Sequence, residues 1–362
     1  MKYLFVVQGD GRGHMTQALA LAAMLRRNGH ELVEVLLGHS ISREVPAFFR
    51  DKIGTTVSVF ETFSFVFDRR GRGVDVWRTA IHNLNPKALR RYRKSLRFIH
   101  ERAQQSGADA IICFYEILMG FYRSYTGSSI PVYCIAHQFI TEHPDFPHAK
   151  GFRPAFWGLR FATRVTMRGA TRTLVLSFYP LPSVERKGLV VVPPLLRSEV
   201  LALESSQGDY LLGYMLNPGY EEEVRAWHEV HPEVPLRFFW DKKGVPKVWK
   251  VDDTLTLYGI DDEAFLHNMA ACRAYVSTAG FESVCEALYL GKPLMLIPAH
   301  IEQEVNAADA QAYAACLVSR SFDLSRLLSQ ADKQTPVTET FRSWVGEAES
   351  RFLSALGLPQ AH

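Results

Sequence analysis

The fold is decided by the amino-terminal stretch Tyr3-Leu4-Phe5-Val6-Val7-Gln8-Gly9-Asp10-Gly11-Arg12-Gly13-His14. The apolar run over 3–7 is typical of a buried parallel strand, and residues 9–14 form a glycine-rich turn. Apolar residues at helical spacing then predict a helix over 16–27, and residues 31–37 predict a second strand. A strand, a helix and a second strand in this order predict a parallel sheet with helices on its faces.

The same alternation continues in two halves of the chain. In the first half it predicts a helix over 86–105 and strands over 110–114, 132–135, 173–176 and 190–192. In the second half it predicts strands over 210–215, 236–240, 254–258, 274–277 and 293–297, and helices over 220–228, 264–271, 281–290 and 305–315. We therefore predict the class α/β, with two Rossmann-like domains whose parallel sheets face a central cleft.

A proline pair and a last helix mark the predicted domain boundaries. The first domain, over 1–192, ends at Pro193-Pro194, which begins a linker over 193–204. The second domain covers 205–335. The remaining residues, 336–362, are expected to hold a helix near 339–356 that packs back on the first domain.

The composition excludes several classes of protein. Hydrophobic residues make up 47% of the chain, and the net charge of +3 is too small to require nucleic acid as a partner. The five cysteines form no Cys-x-x-Cys pair, which argues against zinc and favours a reduced, cytoplasmic chain. No apolar run has the length of a membrane span. We therefore predict a cytoplasmic protein that needs no metal ion and no cofactor.

The glycine loop contains Gly9, Gly11 and Gly13, which suggests a dinucleotide-binding fingerprint. The spacing Gly-x-Gly-x-Gly departs from that fingerprint, and the second strand ends in Leu36-Leu37-Gly38 without an acidic residue for a ribose. A hydride-transfer enzyme is therefore disfavoured. The loop has two possible roles: it contacts a phosphate or an acceptor, or it only makes a tight turn. His14 beside it is likewise either catalytic or structural.

A second cluster lies in the second half. Ser277-Thr278-Ala279-Gly280 follows a predicted strand and begins a predicted helix. Small residues at a helix amino terminus let backbone N–H groups approach a phosphate, and the helix dipole favours negative charge there. Glu286 lies within that helix, either as a ligand-binding carboxylate or on a solvated face. Glu302 and Gln303, predicted to lie on one loop, offer an acceptor and an amide to sugar hydroxyls.

These motifs resemble the donor-binding signature of GT-B glycosyltransferases, above all the lipid II-forming N-acetylglucosaminyltransferases, the plant galactolipid synthases and related bacterial and archaeal proteins. The matching residues are Ser277 to Ala287, Gly291-Lys292-Pro293, Ile297-Pro298, Glu302-Gln303 and Asn306-Ala307. The loop Gly9 to His14 resembles the Gly-x-Gly-Gly-His loop of the same enzymes, and His137-Gln138 resembles a His-Glu/Gln pair. Two regions depart from the pattern: Gly213 to Gly219 lacks a glycine-rich loop, and residues 61–77 match nothing in the acceptor region.

The resemblance implies an inverting, metal-independent glycosyltransferase whose first domain binds the acceptor and whose second domain binds a nucleotide sugar, a UDP-hexose or UDP-N-acetylhexosamine. It implies that Ser277, Thr278, Ala279 and Gly280 hold the diphosphate, Glu286 the ribose, Ile260 the uracil, and Glu302 and Gln303 the donor sugar. It places His14 near the acceptor hydroxyl as the base, with His137 as the alternative. The absence of an Asp-x-Asp motif agrees with metal independence.

Basic residues are concentrated in two stretches. The first contains Arg69, Arg70, Arg72, Arg78, Lys87, Arg90, Arg91, Arg93, Lys94 and Arg97; the second combines Arg153, Arg160, Arg164 and Arg168 with Phe152, Phe156, Trp157 and Phe161. Basic helices with aromatic anchors are typical of segments that contact anionic membranes, although a solvated helix face with a buried aromatic side is the alternative. We expect a lipid-linked acceptor at the inner face of the membrane, in cell-envelope synthesis, or else a small-molecule acceptor.

Two other functions fit the same features. A nucleotide-sugar 2-epimerase would share the donor site but would need no acceptor. A protein that binds a nucleotide sugar without catalysis would need no base, whereas this chain carries His14, Glu286 and Gln303 together.

Overall fold

The computed structural model describes residues 1–9, 11–39, 45–64, 76–146, 153–215, 218–242, 244–314, 316–334 and 337–359. These residues form two compact units. Unit 1 holds the described residues up to Arg197 and those from Trp344 onward, and unit 2 holds Ser198–Ser343. None of the described helices is long and apolar enough to span a membrane.

Unit 1 is built around a parallel sheet. Its strands are β1 Lys2–Gln8, β2 Glu31–His39, β3 Val57–Glu61, β4 Ala110–Phe114, β5 Val132–Ala136, β6 Arg172–Leu176 and β7 Leu189–Val192. Its helices in this part of the chain are α1 Arg12–Arg27, α2 Ala47–Ile53, α3 Val76–Leu84, α4 Pro86–Gln105, α5 Met119–Thr126 and α6 Arg153–Thr166, with 3₁₀ turns at Gln138–Glu142 and Glu185–Lys187. The strand order is β3-β2-β1-β4-β5-β6-β7.

The first sheet is buried on both faces. In β1, Tyr3 through Val7 are fully buried, and the same holds for every residue of β4. Continuous apolar strands of this kind occur where helices cover both faces of a parallel sheet. The strand order reverses between β1 and β4, so the carboxyl ends of these two strands define the switch point where ligands bind in such sheets.

Unit 2 repeats this arrangement. Its strands are β8 Leu211–Met215, β9 Leu236–Trp240, β10 Val248–Lys250, β11 Leu255–Gly259, β12 Ala274–Ser277, β13 Leu294–Leu296 and β14 Leu317–Val318. Its helices are α7 Ser198–Leu201, α8 Glu221–Val230, α9 Asp262–Ala271, α10 Phe281–Tyr289, α11 Ile301–Ala314, α12 Ser325–Gln330 and α13 Thr338–Gly346, with 3₁₀ turns at Pro218–Tyr220 and Ala331–Lys333. The order is β10-β11-β9-β8-β12-β13-β14, and only β10 pairs antiparallel. The switch point therefore lies between β8 and β12, and the predicted class, two Rossmann-like α/β domains, is confirmed.

The carboxyl-terminal residues of the chain pack on unit 1. Helix α14, Ala348–Ala355, lies beside β7. Arg172 donates a hydrogen bond from Nη1 to the carbonyl of Ala355 at 2.8 Å, and Trp344 donates from Nε1 to the carbonyl of Ser177 at 2.9 Å. The single helix predicted near 339–356 is wrong, because α13 ends at Gly346, a poor helix former, and α14 begins two residues later.

Two other local predictions need correction. Helix α1 begins at Arg12, so His14 lies in its first turn and not in a turn before the helix. Helix α11 begins at Ile301, so Glu302 and Gln303 lie in its first turn and not on a loop. Both starts were placed late because the apolar period begins only one turn inside each helix. The short helix α7 lies within the predicted linker 193–204.

Candidate functional site

In unit 2, the chain leaves the switch-point strand β12 through Ser277, Thr278 and Ala279 and enters α10 after Gly280. The first three of these residues are buried. Gly280 is the N-cap residue of α10 in an extended conformation, with φ −67° and ψ 130°, and as glycine it has no side chain with which to cap the helix. The amino terminus of α10 is therefore the kind of helix end at which backbone N–H groups bind an anion.

The segment between β12 and α10 has an unusual backbone that side chains hold in place. Ala279 has φ 59°, in the left-handed region that favours glycine. Its N–H donates to the Ser277 hydroxyl at 3.1 Å, and its carbonyl accepts from Asn306 Nδ2 of α11 at 3.0 Å. Asn306 belongs to the sequence motif but had no predicted role, and the structure gives it one in fixing this segment.

Glu286 lies on the buried side of α10. It is 2% exposed, so the alternative of a solvated helix face is wrong. Glu282 of the same helix and Asp309 of α11 are also buried, and these three carboxylates lie around Cys285. Burial, and then the negative charge of these carboxylates, raises the pKa of the Cys285 thiol well above its ordinary value. Three buried carboxylates therefore lie near one another in this helix pair.

The remaining predicted donor residues lie at neighbouring positions of unit 2. Gln303 is buried, and its Oε1 accepts a hydrogen bond from the N–H of Ala299 at 2.8 Å, which leaves the amide NH₂ group to face other partners. Glu302 is half-buried one residue earlier in α11. Ile260, also half-buried, lies between the end of β11 and Asp261, the N-cap residue of α9.

In unit 1, His14 lies at the amino terminus of α1, directly after switch-point strand β1. It is 9% exposed, and its Nδ1 lies 3.2 Å from Oε1 of Gln17. The imidazole stacks on the Tyr115 ring, with the centroids 5.7 Å apart and the planes 25° apart. Since an amide oxygen can only accept, the contact with Gln17 puts the proton on Nδ1 and leaves Nε2 as the basic nitrogen.

Among the three loop glycines, Gly9 has a steric reason to be glycine. Gly9 N donates to the Gly38 carbonyl at 2.8 Å, and a Cβ on Gly9 would approach that carbonyl oxygen to 2.6 Å. Gly11 is the N-cap residue of α1, and Gly13 lies within the helix. The missing side chain of Gly9 therefore lets the chain after β1 lie close to Gly38 of β2.

His137 follows β5 and is 1% exposed. Its Nδ1 donates to the carbonyl of Leu176 at 2.8 Å. Burial lowers the pKa of His137 to about 4, and the hydrogen bond to Leu176 offsets only part of this effect. The ring is therefore neutral at neutral pH and a poor proton acceptor. The His137 ring packs on Phe178, whereas that of His14 packs on Tyr115.

Sequence reasoning missed two residues at the first switch point, Tyr115 and Glu116. Both directly follow β4. Glu116 is fully buried, and its Oε1 accepts hydrogen bonds from the Thr62 hydroxyl and, at 3.1 Å, from the N–H of Leu118. An acidic residue immediately after a wholly apolar strand is the signal that could have identified this position.

Among the residues that the structure describes, no group of three histidine, cysteine or acidic side chains could hold a metal ion.

Comparisons with known proteins agree with this architecture. Residues 1–329 match the family model described as Glycosyl transferase family 1. No curated protein matches the chain significantly. Among solved structures, the chain is similar to UGT2 of Phytolacca americana, solved with UDP-2-fluoro-glucose and pterostilbene, with 16% identity, a TM-score of 0.65 and 98% of each chain covered. It is also similar to the kitacinnamycin glycosyltransferase, with 14% identity, a TM-score of 0.64 and 99% of each chain covered.

A third similar structure is the spinosyn rhamnosyltransferase SpnG in complex with thymidine diphosphate, with 14% identity, a TM-score of 0.60, and 98% of this chain and 99% of that chain covered. At these identities the likeness is one of fold, and the narrower resemblance to lipid II- and galactolipid-forming enzymes stays a prediction. Since the family match spans most of the sequence, the chain belongs to glycosyl transferase family 1 and is a glycosyltransferase of the GT-B fold.

Proposed function

We propose that this protein transfers a sugar from a UDP-sugar to an acceptor hydroxyl, with inversion at the anomeric carbon and without a metal ion. The single observation that carries the donor assignment is the segment Ser277–Gly280, buried up to Ala279, which leads from the switch-point strand β12 into the amino terminus of α10. Solved structures of the same fold contain UDP-2-fluoro-glucose or thymidine diphosphate, which supports a nucleoside diphosphate donor.

Unit 2 would bind the donor through five sets of groups. The N–H groups of the first turn of α10 bind the diphosphate, where the helix dipole stabilises the negative charge that grows as the sugar leaves. The Glu286 carboxylate accepts hydrogen bonds from the ribose hydroxyls, and the backbone at Ile260 recognises the uracil. The Gln303 amide donates to the sugar, with Glu302 accepting beside it.

Unit 1 would remove the acceptor proton. The acceptor oxygen attacks the anomeric carbon, the bond from that carbon to the diphosphate oxygen breaks, and Nε2 of His14 takes the hydroxyl proton. His14 suits this role better than His137, because the lowered pKa of His137 makes it a weak base at neutral pH. The positive end of α10 takes the place of a metal ion in stabilising the leaving group.

A binding panel tests the donor assignment. Thermal unfolding and calorimetric titration with UDP, thymidine diphosphate and GDP should show binding of UDP, and a ligand at 100 times its Kd should stabilise the chain by roughly 2.7 kcal/mol. No shift with any of the three would overturn the donor site. Incubation with a UDP-sugar alone tests the runner-up function, since accumulation of the 2-epimeric sugar would identify an epimerase.

We further propose that unit 1 contacts an anionic membrane that carries a lipid-linked acceptor. Helices α3, α4, α5 and α6 contact one another in series. Together they contain twelve lysine and arginine residues but one acidic residue, Glu101. We call their exposed side chains the basic-aromatic surface; its large apolar members are Ile81, Leu84, Leu89, Phe121, Tyr125, Trp157 and Phe161, and its cations include Lys87, Arg90, Arg93, Lys94 and Arg97.

The two predicted basic stretches contribute differently to this surface. On α6, Trp157 and Phe161 are 60% and 71% exposed, whereas Phe156 is buried. Arg160 and Arg164 both pair with Glu142, at 2.7 and 2.9 Å, so α6 offers apolar anchors more than positive charge. The charge comes mainly from α4. Arg69, Arg70, Arg72, Phe152 and most of 61–77 lie outside the described residues, and the side chain of Arg153 does too.

Vesicle sedimentation tests this proposal. The protein should bind phosphatidylcholine vesicles that contain phosphatidylglycerol more tightly than phosphatidylcholine alone, and salt should weaken the difference. Trp157→Ser combined with Phe161→Ser should weaken binding roughly tenfold or more. Val230→Ser is the matched control, because Val230 is equally exposed but lies on α8 of unit 2. Equal sedimentation of all variants would reject the surface and favour a small-molecule acceptor.

A further inference from the structure

The backbone of Tyr115 has a rare conformation. Its φ is 56°, and among the described residues only Tyr115 and Ala279 combine a positive φ with a side chain. The two occupy similar places, one residue after β4 and two residues after β12, the strands that border the two switch points. A bulky residue adopts this conformation rarely, and it persists only where surrounding contacts fix it. An outlier at this position therefore invites a functional explanation.

Three contacts fix the side chain of Tyr115. Its hydroxyl lies 2.8 Å from that of Thr163, a fully buried residue of α6. The edge of its ring packs on Phe139, which is also fully buried, with the centroids 5.5 Å apart and the planes at 65°. Its face stacks on the imidazole of His14. Thr163 and Phe139 thus hold the Tyr115 side chain in place, and the face of its ring packs on His14.

We propose that Tyr115 is a positioning residue for His14, an inference that rests on the proposed role of His14 as the base. Gln17 determines which imidazole nitrogen carries the proton, and Tyr115 determines the plane of the ring. Because the two rings are nearly parallel, the imidazole cannot rotate about its bond to Cβ without losing this contact. Once Nε2 has taken the acceptor proton, the tyrosine face also stabilises the imidazolium, since aromatic faces attract cations.

If Tyr115 positions His14, its substitution should lower kcat but leave donor binding unchanged. Tyr115→Leu removes the stacked face, and a misplaced base should lower kcat roughly 10- to 100-fold. The donor KM and the Kd for UDP should stay within about twofold, because both report on unit 2. Tyr115→Phe keeps the ring but loses the bond to Thr163, and it should recover most of kcat. Turnover is measured as UDP release from the UDP-sugar that binds most tightly, with water or the best acceptor.

Two controls separate positioning from folding. Tyr122→Leu removes another fully buried ring from unit 1, and it should lower Tm without lowering kcat of the folded protein. A [¹⁵N]histidine-labelled sample reports the imidazole of His14 directly: Tyr115→Leu should shift its resonances and Tyr115→Phe should not. If Tyr115→Leu and Tyr122→Leu lower kcat equally, or if Tyr115→Leu leaves kcat intact, Tyr115 does not position the base.

A double-mutant cycle distinguishes a failure of the positioning role of Tyr115 from a failure of the proposed function. If Tyr115 acts through His14, Tyr115→Leu should cost nothing further in the His14→Ala background. An equal cost in both backgrounds rejects the positioning role. Full turnover in His14→Ala rejects the base itself, and the positioning role with it, whereas a dead His14→Ala beside a fully active Tyr115→Leu rejects Tyr115 alone.

Discussion

At the residue scale, the two candidate bases differ most in their surroundings. Both His14 and His137 are buried and both follow a strand of the same sheet. The imidazole of His14 stacks on Tyr115, and its Nδ1 contacts the side-chain amide of Gln17. His137 instead donates to the backbone carbonyl of Leu176, and burial lowers its pKa to about 4. These surroundings are why we propose His14 as the base and assign His137 a structural role.

The lowered pKa of His137 has a consequence for stability. As the pH falls below about 6.5, the unfolded chain binds a proton at this position that the folded chain does not bind until about pH 4. The free energy of unfolding should therefore fall across this window, by roughly 3 kcal/mol in total for this group. His137→Asn can still donate to Leu176 but does not titrate. Denaturant unfolding at pH 7 and pH 5 should show a smaller loss in the variant; equal losses would contradict the buried neutral ring.

Glu286 gives a second residue-scale prediction. Its buried carboxylate is proposed to bind the ribose, and losing a hydrogen bond to a charged group costs roughly 1.5–3 kcal/mol, or about 10- to 100-fold in affinity. Glu286→Ala should therefore weaken UDP binding by that factor in a calorimetric titration, while the chain stays folded. Glu304→Ala is the control, since Glu304 is an exposed acid on α11. Equal UDP affinity in both variants would leave Glu286 with a structural role only.

At the element scale, sequence patterns predicted strands better than helix ends. The strand at 110–114 and the helix at 86–105 were predicted to the residue, because a wholly apolar run and a proline start are unambiguous. The starts of α1 and α11 were not, since glycines and acidic residues fill their first turns. The error mattered, because it placed His14 and Gln303 in turns when both side chains are oriented by a helix.

Helix α11 also holds the proposed donor segment, Ser277–Gly280, through Asn306. Asn306→Ala should free the Ala279 carbonyl and loosen the left-handed backbone before α10, so UDP binding should weaken roughly 2- to 12-fold for one lost hydrogen bond. Adding Ala279→Gly should restore part of the affinity, because glycine adopts a φ of 59° without strain. If Asn306→Ala binds UDP like the wild type, α11 does not control the donor segment.

At the scale of the whole molecule, the repeated alternation of strands and helices sufficed to predict two doubly wound sheets. The contacts that make the sites could not be predicted in the same way. Tyr115 is 101 positions from His14 in the sequence, and Asn306 is 27 from Ala279, so only the folded chain shows that they touch. The predicted domain boundaries remain predictions, while the contact-based units divide after Arg197 and after Ser343.

The proposed metal independence concerns the whole molecule. The sequence contains no Asp-x-Asp motif, and the amino terminus of α10 is proposed to stabilise the leaving diphosphate. Turnover should therefore be the same with and without EDTA. Loss of activity on chelation that magnesium or manganese restores would replace this part of the mechanism.

We propose that unit 2 binds the donor and that His14 of unit 1 takes the proton of the acceptor hydroxyl. The most direct test measures turnover and UDP affinity of His14→Ala in one preparation. Removing a general base should lower kcat by roughly 10²–10⁴. The Kd for UDP and the Tm should stay close to those of the wild type. Near-normal turnover in His14→Ala would contradict the proposed role of His14 as the base. An equal loss of turnover, UDP binding and Tm would contradict it as well.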